Sequence, residues 1–211
     1  MKKLITFTMV IITGLFFQSC YKSPTTNSLS SDLVVATNRD LQADYSDYET
    51  YHISDTIPRI SDSETDTILV GAGADQIIAK IKANLDARGY RFVERSDNPD
   101  LAVIPSIIDV EVVNQICSGW WGGYPGYWDP YYWGYPGYGY YYPYCGFYTY
   151  DTGSLNVELF DLENADENKN LKAVWGSAMF GILSSSDRTN LTRALTAIDQ
   201  SFEQSPYLTN K

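Results

Sequence analysis

The sequence predicts an α+β domain: a mainly antiparallel sheet of about five strands with two helices packed on one side, plus a long Tyr/Gly/Trp-rich insert. Three observations predict it. Apolar residues recur at helical spacing in two stretches, Ile77, Ile78, Ile81 and Leu85 in one and Leu191, Ala194, Leu195, Ile198 and Phe202 in the other. Short β-branched or alternating runs of strand length surround them. The order is strand, helix, two strands, insert, two strands, helix, and helices laid on one face of a sheet hide both stripes.

The elements follow one another from the N-terminus. Met1-Lys2-Lys3 is a basic start, and an apolar run from Leu4 to Phe17 leads to Gln18-Ser19-Cys20. A short basic region, an apolar region and a small residue before the cut describe a secretory signal. The cysteine straight after Ser19 makes it look like a bacterial lipoprotein signal, in which Cys20 is acylated and becomes the new N-terminus. The alternatives are an ordinary signal peptide or a membrane anchor, for which the apolar run is shorter than the roughly 20 residues a span needs. Residues 1–19 therefore read as a signal peptide, 20–32 as a lipidated Ser/Thr-rich tether, and 33–207 as a single domain with an aromatic insert at 117–150.

Residues 33–37 read as a first strand, 44–52 as an aromatic turn, and 54–67 as a Ser/Asp/Thr loop. The first helix is placed at 75–88, with Gly89 as its stop. A strand follows at 90–94. Residues 101–116 are β-branched and apolar on both faces, a central strand in which Pro105 marks a bulge or an irregular edge. Leu155, Val157 and Leu159 alternate with Asn156 and Glu158, as in a half-buried strand. A strand at 171–183 and a helix ended by Pro206 complete the chain.

Several of these segments hold short motifs in a fixed order. An aromatic opening stands at 44–51, a helix ends in Gly89-Tyr90, and Pro99-Asp100-Leu101 opens a strand. Gly153-Ser154-Leu155 precedes Asp161, Val174-Trp175-Gly176-Ser177 follows, and Ser205-Pro206 closes. Over roughly residues 34–206 the chain thereby resembles the bacterial lipoprotein family of the domain of unknown function 4136 (DUF4136). The resemblance implies an envelope lipoprotein with a compact α/β domain. It implies no activity and carries over no catalytic residue.

Between 118 and 150 lie 17 of the chain's 31 aromatic residues, with eight glycines, four prolines and Asp129 as the single charge. Chain this rich in Gly and Pro holds neither a regular helix nor a central strand. One reading is a self-packed flap that covers the domain. A second is a recognition surface for a glycan or an envelope protein, with Trp120, Trp121, Tyr124, Tyr127, Trp128, Tyr131 and Trp133 as its contacts. A third is contact with lipid headgroups. The core pattern looks complete without 118–144, so that segment is expected to be dispensable for folding; a domain that unfolds without it would favour the flap over the recognition surface. Cys117 and Cys145 bracket it, and an exported pair is most simply a disulfide, with free thiols or a metal pair as alternatives.

Composition excludes some partners. Removing residues 1–19 takes away two lysines and leaves 13 basic against 26 acidic residues, a formal charge of −13. Such a surface repels phosphate backbones, so nucleic acid is not expected, and the bilayer is reached only through acylated Cys20. Ile68 to Gln76 imitates a dinucleotide fingerprint, but its third glycine position is Gln76 and Asp75 would meet the pyrophosphate. One histidine, His52, leaves little room for a nucleophilic triad. Asp62, Glu64 and Asp66 alternate without the spacing of a calcium loop. The expectation is a non-catalytic binding or structural domain on the periplasmic face of the outer membrane, without cofactor or metal. The alternative is a glycan-binding or glycan-processing envelope enzyme.

Overall fold

The computed structural model describes residues 33–61, 65, 67–109, 112–116, 129–144, 146–150, 153–165, 169–182 and 186–211, of which 112–116, 146–150 and 187 are described by backbone alone. The signal and tether, Cys20, Cys117, Cys145, Asp62, Glu64, Asp66, Trp120, Trp121, Tyr124, Tyr127 and Trp128 lie outside the described residues.

Eleven strands and two α-helices alternate along the described chain: β1 (Val34–Arg39), β2 (Thr50–Ile53), β3 (Ile57–Ile60), β4 (Ile68–Leu69), α1 (Ala72–Ala87), β5 (Arg91–Phe92), β6 (Leu101–Ile108), β7 (Val112–Ile116), β8 (Gly139–Tyr141), β9 (Gly146–Tyr150), β10 (Ser154–Asp161), β11 (Asn170–Phe180) and α2 (Asp187–Glu203). The fold is α+β, with a larger and more mixed sheet than the sequence suggests. Nine strands join it, in the order β1-β11-β10-β6-β2-β5, with β3, β4 and β8 attached off that path. Strands β1, β11, β10 and β6 pair antiparallel. In contrast, β2–β5, β2–β6, β3–β6 and β11–β8 are parallel. For β2 and β3 the cause is α1. It stands between β2–β3 and β5–β6, and a helical crossover is the connection that lets strands run parallel.

The run at 101–116 divides. Strand β6 ends at Ile108, and β7 leaves the sheet to pair with β9 in a separate two-stranded ribbon. Pro105 sits inside β6, opposite Val157 of β10. On its other edge β2 reaches only to Val103 and β3 begins only at Ile107. A residue lacking an N–H is tolerated where one neighbouring strand gives way to the next.

Helix α1 starts earlier than its apolar stripe implies. Gly71, at φ 92°, precedes it without a side-chain cap, and Asp75 lies within the first turn. Its end is as expected. The amide of Tyr90 reaches Leu85 O and that of Gly89 reaches Asp86 O, with Gly89 at φ 97°, a Schellman stop. Helix α2 is capped by Ser186, whose side chain accepts from the Thr189 amide.

Both helices cover one face of the sheet. Ile77, Ile81, Leu85, Ala197, Ile198 and Phe202 pack there against Tyr51, Leu101, Val103, Val157, Leu159 and Trp175. The opposite face is covered too. Ala102, Ile104, Ile108, Phe160, Leu171 and Ala173 are buried beneath Trp133 and Tyr142, with Tyr132, Tyr135, Tyr138, Tyr140 and Tyr144 alongside. Strand β10 is therefore buried on both sides, and Asn156 and Glu158 are only 3% and 4% exposed. That corrects the half-buried reading. Segment 129–144 of the insert forms the second cover, which counts against its being dispensable to the core.

Candidate functional site

The residues that carry the family pattern turn inward. Tyr45 donates its hydroxyl to Val174 O at 2.6 Å, Tyr48 to Asp161 Oδ2 at 2.9 Å and Tyr51 to Asp86 Oδ1 at 2.8 Å. Burial pushes all three phenols well above the ordinary tyrosine range, so they remain neutral donors. The Asp100 carboxylate accepts the amides of Glu49 and Thr50, both at 2.8 Å, and so ties the aromatic opening to β6. Trp175 donates to Ser205 Oγ at 2.9 Å beneath α2. At Gly176 an added Cβ would meet the Tyr144 hydroxyl at 3.0 Å, so the absent side chain lets the aromatic cover close on β11. These motifs build the fold.

One turn of the insert holds an aromatic ring outward. Asp129 accepts the Tyr131 amide at 2.7 Å, Pro130 opens a 3-10 turn over Pro130–Trp133, and Gly134 leaves it at φ 93°. The turn is fastened on three sides. Trp133 Nε1 donates to the Tyr140 hydroxyl at 3.1 Å, the Tyr135 hydroxyl donates to Leu162 O, and the Arg95 guanidinium donates to Tyr132 O. Arg95 also lies 4.6 Å from the centre of the Tyr132 ring. Of the predicted contact residues in this turn, Trp133 points inward at 5% exposed and Tyr131 points outward at 72%.

Hollows lie on either side of Tyr132. On one side a trough of two adjoining spaces, about 400 and 280 Å³, runs along Arg95, Asn98 and Trp133 toward Tyr131 at one end and Asp100 and Glu163 at the other. Burial, together with the carboxylates of Asp100 and Asp161, holds Glu163 above its ordinary pKa. Asn98 adopts a left-handed φ of 53° there.

On the other side is a groove of about 580 Å³ between α1 and the end of β2. Its floor is His52, 7% exposed, with Phe92 and Tyr132. His52 Nδ1 lies 2.9 Å from Val93 O, a pure acceptor, so Nδ1 carries the proton. In the neutral ring Nε2 is then an acceptor, 3.5 Å from the Tyr132 hydroxyl. The imidazole stacks on Phe92 at 5.6 Å and meets Trp133 edge-on at 6.0 Å. Asp55, Asp75 and Glu94 line the walls. No group of three or more His, Cys, Asp or Glu among the described residues is placed to hold a metal ion. As the chain's single histidine, His52 is set aside in the sequence as unable to form a triad. Its neighbours come from four separate segments, and no local motif links them.

The fold and this geometry define an α+β domain with one face under helices and one under aromatic rings. The profile of the domain of unknown function DUF4136 matches residues 35–207, and the chain belongs to that family. It is similar to the crystal structure of a DUF4136 family protein from Bacteroides thetaiotaomicron VPI-5482, at 42% identity and a TM-score of 0.75, covering 85% of this chain and 98% of that one. A PDZ domain protein from Parabacteroides distasonis ATCC 8503 aligns at 11% identity and a TM-score of 0.44, over 83% of this chain and 36% of that one. No curated protein matches.

Proposed function

We propose that this protein is an envelope lipoprotein, held to the outer membrane by lipid on Cys20 with its domain on the periplasmic side, and that the domain binds rather than catalyses. The observation that carries the binding role is the turn at 129–135. It is fastened on three sides, yet it holds the Tyr131 ring 72% exposed beside a trough. A rigid aromatic side chain with a polar tip gives contact area at little cost in conformational entropy. The signal ending in Cys20 supports the anchoring. No helix among the described residues is long and apolar enough to cross a membrane. A bond between Cys117 and Cys145 would close the foot of the insert. The β7–β9 ladder pairs Ile116 with Gly146, the residues next to the two cysteines in the sequence, and this supports the reading.

The second reading is glycan binding, favoured by the mixture of Arg95, Asn98, Asp100 and Glu163 around the trough. Hydrolysis would need two available carboxylates, and Asp100 Oδ2 already accepts two backbone amides.

Two measurements test the reading. Intact-mass analysis of membrane-extracted protein should show acyl mass that Cys20→Ser removes; an unmodified wild type overturns the anchoring. A photo-crosslinking residue at position 131 should give one discrete adduct in intact cells, absent when the probe replaces Ile68, which is 45% exposed. Equal labelling from both positions, or none from either, overturns the binding surface.

A further inference from the structure

The groove beside His52 is separate from the Tyr131 trough, and its chemistry points to a different ligand. Its parts complement a positive charge that carries protons. The floor offers aromatic rings, whose faces attract cations. With Nδ1–H engaged with Val93 O, the neutral ring also presents the Nε2 lone pair of His52, which the Tyr132 hydroxyl meets at only 3.5 Å and which a closer donor can take over. The walls carry Asp55, Asp75 and Glu94 against a single cation, Lys82.

Lys82 shows how such a charge is received there. Its ammonium lies 3.6 Å from the centre of the Phe92 ring. Among the described residues it makes none of the ion pairs within 4 Å, which join Arg59 to Asp109, Lys80 to Asp199 and Lys172 to Asp40. The groove thus holds one tethered ammonium on an aromatic face and leaves its three carboxylates in excess. Its volume of about 580 Å³ is that of a small-ligand site.

We propose that this groove binds an alkylammonium group: the amine seats between the aromatic floor and the carboxylate walls and donates to His52 Nε2, and its carbon chain lies along Ile78 and Ala79. The group can belong to a free diamine or to a lysine side chain of a peptide, and the chemistry of recognition is the same. Asp75, Ile78, Ala79 and Lys82 sit one turn apart on α1, so one helix face lines the groove.

The single histidine makes the test direct, since untagged protein gives one imidazole signal. Full-length protein in detergent, at one fixed pH, is titrated with 1,5-diaminopentane, with Nα-acetyl-lysine amide and with the uncharged 1,5-pentanediol while the His52 ring resonances are followed. Saturable shifts with one or both amines, and none with the diol, support the site, and the two amines separate a free from a peptide-borne source. The Asp75→Asn/Glu94→Gln variant alters exposed positions and should weaken amine binding about tenfold, as should raising the salt. Lys82→Met, which removes the resident ammonium, should strengthen binding several-fold. Equal shifts with the diol, no saturable shift with either amine, or weaker binding in Lys82→Met would overturn the proposal. None of these results depends on Tyr131 or on lipid at Cys20.

Discussion

The two faces of the central sheet are sealed equally well by covers of opposite kind. On one face two regular helices place apolar residues every third or fourth position over Leu101, Val103, Val157 and Trp175. On the other, an irregular chain of tight turns lays Trp133 and Tyr142 over Ala102, Ile104 and Phe160. A helix satisfies its own backbone and needs only a stripe of side chains. The aromatic cover has no ladder of its own over most of its length. It is held by side-chain bonds to the body, such as Tyr135 to Leu162 O and Arg95 to Tyr132 O, and by the short parallel pairing of β8 with β11. Large rings make this possible, because each buries much area from few residues. The comparison teaches that a sheet core needs area and fixed geometry above it, and that secondary structure is one of two ways to supply them.

Removing a cover is the strongest way to break the comparison. Replacing residues 129–144 with a short Gly/Ser link should abolish cooperative unfolding, because Ala102, Ile104, Phe160, Leu171 and Ala173 would face water. A sharp native-like thermal transition in that variant would show the aromatic cover to be ornamental. A matched pair of substitutions sharpens the point. Phe202 and Phe160 are both 0% exposed, one on each face. Each Phe→Ala change should cost about 3–5 kcal/mol in denaturant unfolding. A Phe160→Ala cost below half that of Phe202→Ala would mean that the aromatic side is loosely packed.

A smaller change probes the closeness of the cover. Gly176→Ala would place a methyl group 3.0 Å from the Tyr144 hydroxyl. The ring must move, and the expected loss is about 1–2 kcal/mol. Tyr144→Phe in the same chain should restore part of it.

The difference between the covers also decides what the sequence made legible. Helix α1 and its Gly89 stop, and helix α2 with its stripe, were readable because 3.6-residue periodicity and capping are local. The family motifs were readable as a pattern, though their role as internal struts, with Tyr48 on Asp161 and Asp100 on Thr50, was not. Strand β6 reads as apolar on both faces, which is a demand for a second cover; a flap is one reading of the insert, but its composition alone does not choose that over a recognition surface. Tyr131 and Trp133 stand two residues apart in one aromatic run, and only the 3-10 turn separates outward from inward. Asn156 and Glu158 imitate a solvent-facing row because alternation reports polarity and not what lies above it. The parallel pairings of β2 and β3 were missed because strand direction there depends on the α1 crossover, which no single segment encodes, and that of β8 with β11 because the two lie about thirty residues apart. The groove at His52 depends on contacts of the same long-range kind.

The smallest predicted effect separates the two covers by acid. The helix pair is joined by a polar clamp in which Lys80 Nζ lies 2.8 Å from Asp199 Oδ2 and Asn84 Nδ2 donates to Asp199 Oδ1 at 2.9 Å. Partial burial pushes the Asp199 carboxyl up, but the hydrogen bonds from Lys80 and Asn84 outweigh it and hold the group below its ordinary value of 3.8. A carboxyl that binds its proton less readily when folded stabilises the fold above the unfolded value. That contribution fades as pH falls from about 3.8 through the folded value. The side chain of Asp199 is 44% exposed, so solvent screening limits the clamp to about 0.5 kcal/mol. In Asp199→Asn, stability near neutral pH should drop by that amount, and the gap from wild type should close as acid is added. Phe160→Ala, on the opposite face, should keep a constant gap across the same pH range. If the Asp199→Asn gap stays constant too, the clamp does not titrate, and the helix cover is as indifferent to acid as the aromatic one.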